Sequence, residues 1–268
     1  MADALQFVQR PGHRTAYRRC GSGPPLVLLH PLAMSGAIWA SAASVLSGSF
    51  DVIAPDARGH GSSDWDGQPF SVHDLADDVC GLLDGLGLPA AHVVGLSMGG
   101  STAISLAGRH PGRVSAMVLA DTTAWYGPAA PRTWEARASA VLSQPRERQI
   151  PFQVERWFTD QFRNRSPAVV NEVVSVFLRT SSLAHAAACR ALGTMDSRGL
   201  LAAITAPVLV MTGEEDYATP PEMGQAIADG VVSGQARILP GLRHLSLVEQ
   251  PGLADDFSRF LAAGRVAG

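Results

Sequence analysis

Ser97, Asp216 and His244 are the residues of this 268-residue chain whose types and order suit nucleophilic catalysis. A serine hydroxyl is a weak nucleophile at neutral pH. It needs a base beside it and a third group to orient that base. Ser97 stands at the apex of Gly95-Leu96-Ser97-Met98-Gly99-Gly100, a G-x-S-x-G pattern. His92-Val93-Val94 before it reads as a strand, and Ser101–Ala107 after it suits a helix. Strand, glycine-bounded turn and helix make a nucleophile elbow. Small residues are needed at Gly95 and Gly99, where strand and helix approach each other. The turn lifts the Ser97 hydroxyl above the sheet edge. It also sets the Met98 N–H at a helix N-terminus, where the dipole favours developing negative charge. In a chain with 27 glycines such a pattern can arise by chance, but the flanking strand and helix argue against that.

Eight histidines compete for the role of base. His30 lies in the loop expected to supply an oxyanion donor, and His60 lies in a glycine-rich turn. His13, His73, His92, His110 and His185 have no motif context. His244 directly follows the last predicted strand, among the loops at the strand ends. For the acid, Asp216 follows the penultimate strand in Gly-Glu-Glu-Asp-Tyr-Ala-Thr-Pro, with Glu214 and Glu215 earlier in the same turn. Asp121, at the end of the strand after the elbow helix, is the alternative. The order Ser97, Asp216, His244 is the chain order of an α/β-hydrolase triad. The implied chemistry is two-step acyl transfer, with the oxyanion held by the Met98 and Leu32 N–H groups. A serine at the elbow argues against haloalkane dehalogenase or epoxide hydrolase chemistry, which needs a carboxylate nucleophile there. No His, Cys and Asp cluster has ligand spacing, so neither a metal nor a cofactor is expected.

Alternating strands and helices must position these residues. Strands are expected over 6–10 and 14–19, joined around Pro11-Gly12, and then over 25–30, 51–55, 92–94, 115–120, 206–213 and 235–240. Pro25-Leu-Val-Leu-Leu-His30 is a continuous apolar run, as in a parallel-sheet strand buried on both faces. Ser35 caps a helix carrying Trp39. Asp56-Ala-Arg58-Gly59-His60-Gly61 lacks the phosphate-loop spacing and a Walker lysine, so Asp56 and Arg58 are read as pinning the turn locally. Ser71 with Asp74 forms a capping box before an apolar stripe of Leu75, Val79, Leu82, Leu83 and Leu86. A helix opens at Pro220-Pro221, and another runs over about 251–263.

From 122 to 203 strand-like runs disappear. Helices are expected there over 131–143, 149–163, 166–180 and 183–194, with Pro145, Pro151 and Pro167 near their boundaries. This segment reads as a helical lid inserted in a core made of 1–121 and 204–268. It carries ten arginines against six acids, while the remainder carries eleven against eighteen. A cationic lid over an anionic body would steer an anionic substrate; an ordinary solvated helical surface explains the same counts.

Hydrophobic residues at 46% and charged ones at 17% fit one globular domain and exclude a disordered chain. A net charge of -3 gives no basic footprint, so no nucleic-acid partner is expected. No apolar run reaches membrane-spanning length, and Met1–Gln6 lacks the marks of a signal peptide, so a cytoplasmic location is expected. Cys20, Cys80 and Cys189 are read as small core hydrophobes. All 21 basic residues are arginine.

The chain as a whole resembles the α/β-hydrolases, and within them the 3-oxoadipate enol-lactonases. The resemblance is carried by Gly-Leu-Ser97-Met-Gly-Gly, Asp56-Ala-Arg-Gly-His-Gly-Ser-Ser, Trp134-Glu-Ala-Arg137, Glu155-Arg-Trp-Phe-Thr and His244-Leu-Ser-Leu-Val-Glu-Gln-Pro. It implies a mostly parallel eight-stranded sheet flanked by helices, with a helical lid. It also implies a small lactone substrate whose free carboxylate is held by Trp134 and Arg137. Two segments depart from the family pattern. His30-Pro-Leu-Ala33 stands where Asn-Ser-Leu-Gly is expected, and Leu247 stands where Asn is usual. The same machinery would serve a small-molecule carboxylesterase, a cofactor-free haloperoxidase or perhydrolase, or a lactone-sensing receptor.

Overall fold

The computed structural model describes residues 4–10 and 13–264. Its eight strands are β1 (Gln6–Arg10), β2 (His13–Gly21), β3 (Pro25–Leu29), β4 (Asp51–Pro55), β5 (Ala91–Leu96), β6 (Val114–Ala120), β7 (Val208–Gly213) and β8 (Gly234–Leu239). They form one sheet in the order β1-β2-β4-β3-β5-β6-β7-β8. β2 pairs antiparallel with β1 and β4, and the remaining pairs are parallel. The turn expected around Pro11-Gly12 lies outside the described residues, as do 1–3 and 265–268. β5 and β7 are buried along their whole length, and β3 is buried from Leu26 onward. Helices cover both faces of these strands, so they need no polar alternation. β8, at the sheet edge, is exposed over five of its six residues.

Helices α1 (Ala40–Leu46), α2 (Val72–Gly85) and α3 (Met98–Arg109) follow β3, β4 and β5. Between β6 and β7 the chain builds α4 (Ala130–Ser143), α5 (Arg146–Trp157), α6 (Asp160–Arg165), α7 (Pro167–Arg179) and α8 (Ser182–Gly193). Next come α9 (Pro221–Gly230), α10 (Ser246–Glu249) and α11 (Leu253–Ala263). The α2 capping box forms as read: Ser71 Oγ accepts from the Asp74 N–H at 3.2 Å, and the Asp74 carboxylate accepts from the Ser71 N–H at 2.7 Å. At the base of the helical insertion, Trp125 and Asp196 form an antiparallel bridge. Leu32, Leu96, Met98, Trp134, Trp157, Phe177 and Leu245 share one apolar cluster, so insertion and sheet are packed together.

Five local readings are corrected. The helix expected over 149–163 is two helices, α5 and α6. Thr159 breaks it: its hydroxyl accepts from the Phe162 N–H at 3.2 Å, capping α6, while its own N–H is taken by the Glu249 carboxylate. Pro151 lies inside α5, whose buried Gln149, Gln153 and Trp157 hold it against the neighbouring helices. Ser35 caps a 3-10 turn, Gly36–Trp39, that leads into α1. Asp56 does pin its turn, accepting from the Ser62 N–H at 2.8 Å, but Arg58 reaches away to Asp78 of α2 at 2.6 and 2.8 Å. Of the three thiols only Cys189 is fully buried; Cys20 and Cys80 are half-buried.

Candidate active site

The C-terminal ends of β3, β5, β6, β7 and β8 bring His30, Ser97, Asp121, Asp216 and His244 to one edge of the sheet. β3 and β5 lie side by side where the strand order reverses, the usual ligand crevice of such a sheet. Ser97 has φ 54°, ψ -115°, and α3 begins at the next residue. Left-handed backbone at a serine costs about 1–3 kcal/mol and persists only where the surroundings dictate it. They do so here. A Cβ on Gly95 would lie 2.5 Å from the Gly99 carbonyl oxygen, and one on Gly99 would lie 2.1 Å from that of Leu29. The Ser97 N–H bonds the Ala120 carbonyl at 2.9 Å, and Thr122 Oγ1 donates to the Ser97 carbonyl at 2.7 Å.

Ser97 Oγ is 2.9 Å from His244 Nε2, and His244 Nδ1 is 2.8 Å from Asp216 Oδ2. All three side chains are buried. Asp216 also accepts from the Ala218 N–H at 2.8 Å, the Thr219 N–H at 3.1 Å and Thr219 Oγ1 at 2.7 Å. Burial alone would raise its pKa. The facing His244 and the Thr219 donors outweigh it, and the carboxyl ends below its usual range.

Asp121, the other candidate acid, is engaged elsewhere. Its Oδ1 accepts from the Gly213 N–H at 2.9 Å, and its Oδ2 accepts from the Ser246 N–H at 3.0 Å and Ser246 Oγ at 2.6 Å. It thereby ties the ends of β6 and β7 to the loop carrying His244. It too is left-handed, with φ 47°. Burial, then the charge of Asp216, push its pKa well above the ordinary value. Glu214 and Glu215 are peripheral latches, to the Gly241 N–H at 3.0 Å and to Arg243 at 2.9 Å.

Leu32 and Met98 are both buried beside the elbow. The loop carrying Leu32 is fixed by His30: its Nδ1–H donates to the Pro31 carbonyl at 2.8 Å, and its Nε2 accepts from the Ala57 N–H at 2.9 Å. Burial holds the His30 pKa down, in keeping with this neutral tautomer. Ala33, where the family pattern has glycine, takes φ 60°. The carbonyl of Ala33 accepts from Thr180 Oγ1 of the insertion at 2.8 Å. Leu247 is buried in α10.

The insertion is also stitched to the His244 loop. The Leu245 N–H donates to the Trp157 carbonyl at 3.0 Å, and Arg243 Nη1 donates to those of Glu155 and Phe158 at 2.9 and 3.2 Å. In its interior the Arg137 guanidinium lies 4.9 Å from the centre of the buried Trp134 ring. Arg137 Nη2 donates to Gln153 Oε1 at 3.4 Å. Tyr126 meets Trp134 edge-on at 4.9 Å. Sequence reasoning singled out Trp134 and Arg137 but missed Tyr126, Gln153, Thr180, Thr219 and Ser246. Thr219, three residues after Asp216, carries a readable signal, because a carboxylate and a following hydroxyl commonly close such a turn. The others depend on packing between distant segments. Among the described residues no group of three or more His, Cys, Asp or Glu side chains is placed to hold a metal ion. No described helix is long and apolar enough to cross a membrane.

A family model for the alpha/beta hydrolase fold matches residues 24–251. The 3-oxoadipate enol-lactonase 2 of Acinetobacter baylyi is 34% identical over 228 residues, covering 85% of this chain and 84% of that protein. The crystal structure of the enol-lactonase from Burkholderia xenovorans LB400 superposes with a TM-score of 0.88 at 31% identity, covering 97% of this chain and 99% of that one. A thermophilic esterase from Thermogutta terrifontis, with malate bound, gives a TM-score of 0.90 at 27% identity, covering 98% of this chain and 100% of that one.

Proposed function

From the premise that this chain belongs to the α/β-hydrolase family and is a carboxylic ester hydrolase, we propose that it opens a small carboxylate-bearing lactone through an acyl-serine intermediate. The observation that carries this reading is the continuous hydrogen-bonded line from Ser97 Oγ through His244 to Asp216. His244 Nε2 accepts the Ser97 proton as Oγ attacks the lactone carbonyl. Asp216 holds the imidazole with Nδ1 protonated and stabilises the imidazolium. The oxyanion lies against the N–H groups of Met98 and Leu32; in enzymes of this chemistry one such donor is worth about 3–4 kcal/mol. His244 returns the proton to the departing ring oxygen. That oxygen leaves as an enol, which relaxes to the ketone. Water, deprotonated by His244, then attacks the acyl-serine and releases the new carboxylate.

The segment 122–203 acts as the lid, and its Trp134 and Arg137 hold the substrate's free carboxylate. Enol-lactonases among the relatives, at 34% and 31% identity, support the lactone. A second reading, a carboxylesterase for small acyl esters, is favoured by the likeness to the Thermogutta esterase. Rates on a carboxylated enol-lactone and on p-nitrophenyl acetate separate the two. The first reading requires a kcat/KM at least about 10-fold higher on the lactone, and preference for the acetate overturns it.

A further inference from the structure

Pro31-Leu32-Ala33-Met34 closes as a turn, with the Met34 N–H donating to the Pro31 carbonyl at 3.3 Å. Ala33, its third residue, has φ 60°. A positive φ at that place is the signature of a type II turn, which glycine adopts freely and an L residue resists. All four residues are buried, and the same turn carries the Leu32 N–H. Two side chains clamp it. The His30 Nδ1–H bonds the Pro31 carbonyl at 2.8 Å. That carbonyl belongs to the same planar peptide as the Leu32 N–H, so fixing one aims the other. At the far end Thr180 Oγ1 donates to the Ala33 carbonyl at 2.8 Å, from 147 residues away in the chain.

Thr180 belongs to the insertion, at the end of α7, and is buried. The Val176 carbonyl, one turn back in its own helix, lies 3.5 Å from the same hydroxyl, so the bond to Ala33 is the shorter one. The end of α7 is itself fixed. Phe177 is fully buried, and its carbonyl accepts from the Thr180 N–H and from Arg146 Nε at 3.1 Å each. Its ring meets that of Trp157 edge-on at 5.4 Å. A hydroxyl on so fixed a post can hold a turn against its own preference, and an alanine stays left-handed only where its surroundings dictate it.

We propose that Thr180 is a positioning residue for the oxyanion donor: its hold on the Ala33 carbonyl keeps Ala33 left-handed and the Leu32 N–H aimed at the space beside Ser97. This rests on the reading of Ser97 as the nucleophile and of Leu32 as an oxyanion donor. The insertion then acts on the chemical step as well as on what enters the site. Its α7 reaches the oxyanion loop, as its Trp157 reaches the loop of the base. Without the hydroxyl the Ala33 carbonyl is left buried and unpaired. Ala33 then relaxes toward negative φ, and the Leu32 N–H swings off the place the oxyanion takes up.

The full-length enzyme is assayed on p-nitrophenyl acetate, a neutral ester that makes no demand on the lactone reading. Thr180→Val keeps the shape of the side chain and removes its hydroxyl. It should lower kcat by about 10-fold or more with KM within about 2-fold, because the oxyanion forms in both acylation and deacylation. Phenylboronic acid adds to Ser97 Oγ as a tetrahedral anion, the proton passing to His244, and its affinity should fall by a similar factor. Thr180→Ser, which keeps the hydroxyl, should hold kcat within about 3-fold of the parent. In an Ala33→Gly background, where left-handed backbone costs little, Thr180→Val should cost at most about 3-fold. Thr180→Ala is read in the same way, so the test stands even where valine prevents folding. A lower melting temperature at the parent kcat is the result of a mere cap on α7, and it overturns the proposal. So does a Thr180→Ser enzyme as slow as Thr180→Val, or an undiminished loss in the Ala33→Gly background. A parent kcat in Ser97→Ala would instead defeat the serine reading, and this proposal with it.

Discussion

At the sheet edge the buried carboxylates are saturated with donors, whereas in the insertion the half-buried Arg137 pairs with no carboxylate among the described residues and donates to the Gln153 amide at 3.4 Å. Asp216 is held by His244, Thr219 and two backbone N–H groups, and Asp121 by Gly213 and Ser246. Their hydrogen bonds are complete without substrate, so the catalytic geometry is preorganised. One region has its charges matched within the fold, and in the other a cation is met by a neutral amide.

Breaking the catalytic half should have the largest effect. Ser97→Ala or His244→Ala should lower kcat on any ester or lactone by about 10⁴-fold or more with unchanged circular dichroism. Residual turnover near the parent rate would remove the serine mechanism. Next come the two acids. Asp216→Asn should cost about 10⁴-fold in kcat, since it releases the His244 tautomer. Asp121→Asn should cost about 10- to 100-fold, by loosening the Ser246 contact and with it the base loop. A larger loss at Asp121 than at Asp216 would reverse their roles. The lid half should respond less and selectively: Arg137→Gln should raise KM for a carboxylated lactone by about 10-fold or more relative to a neutral ester. Equal losses on both would leave it a packing residue.

An effect on stability and not on turnover concerns the seam between the halves. His60 is fully buried, with its ring 5.4 Å from that of His30 and within reach of the Arg146 charge. Burial, then His30, push its pKa from 6.5 to about 3. The unfolded chain therefore takes up the proton first as pH falls. The stability this contributes is fully present above pH 6.5 and is lost progressively toward pH 3. Denaturant unfolding at pH 7.5 and pH 4.5 should show His60→Gln losing about 3 kcal/mol less than the parent over that interval. An identical loss would mean that His60 does not titrate with unfolding.

The catalytic half was legible in the sequence because its constraints are local. Gly95 and Gly99 are there because a Cβ at either would strike backbone, and Ser97, Asp216 and His244 each follow a short apolar run. The choice between Asp121 and Asp216 was not legible. Both end strands at the same edge, and only the register of the His244 loop decides which one meets Nδ1. The insertion was legible as helices but not in its joints. Thr159 ends a helix through Glu249, 90 residues away in the chain, and Trp157 is tied to Leu245 by a backbone bond between similarly distant segments. Ala33 adds a mismatch of a different kind. It occupies φ 60°, where glycine would be relaxed, at a residue whose carbonyl the insertion grips through Thr180.

The most direct measurement of the account compares kcat/KM on a carboxylated enol-lactone and on its neutral methyl ester, using the parent enzyme and Ser97→Ala. The account predicts that the parent prefers the carboxylated lactone by at least about 10-fold and that Ser97→Ala turns over neither. Equal rates on the two, or a preference for the methyl ester, would contradict it.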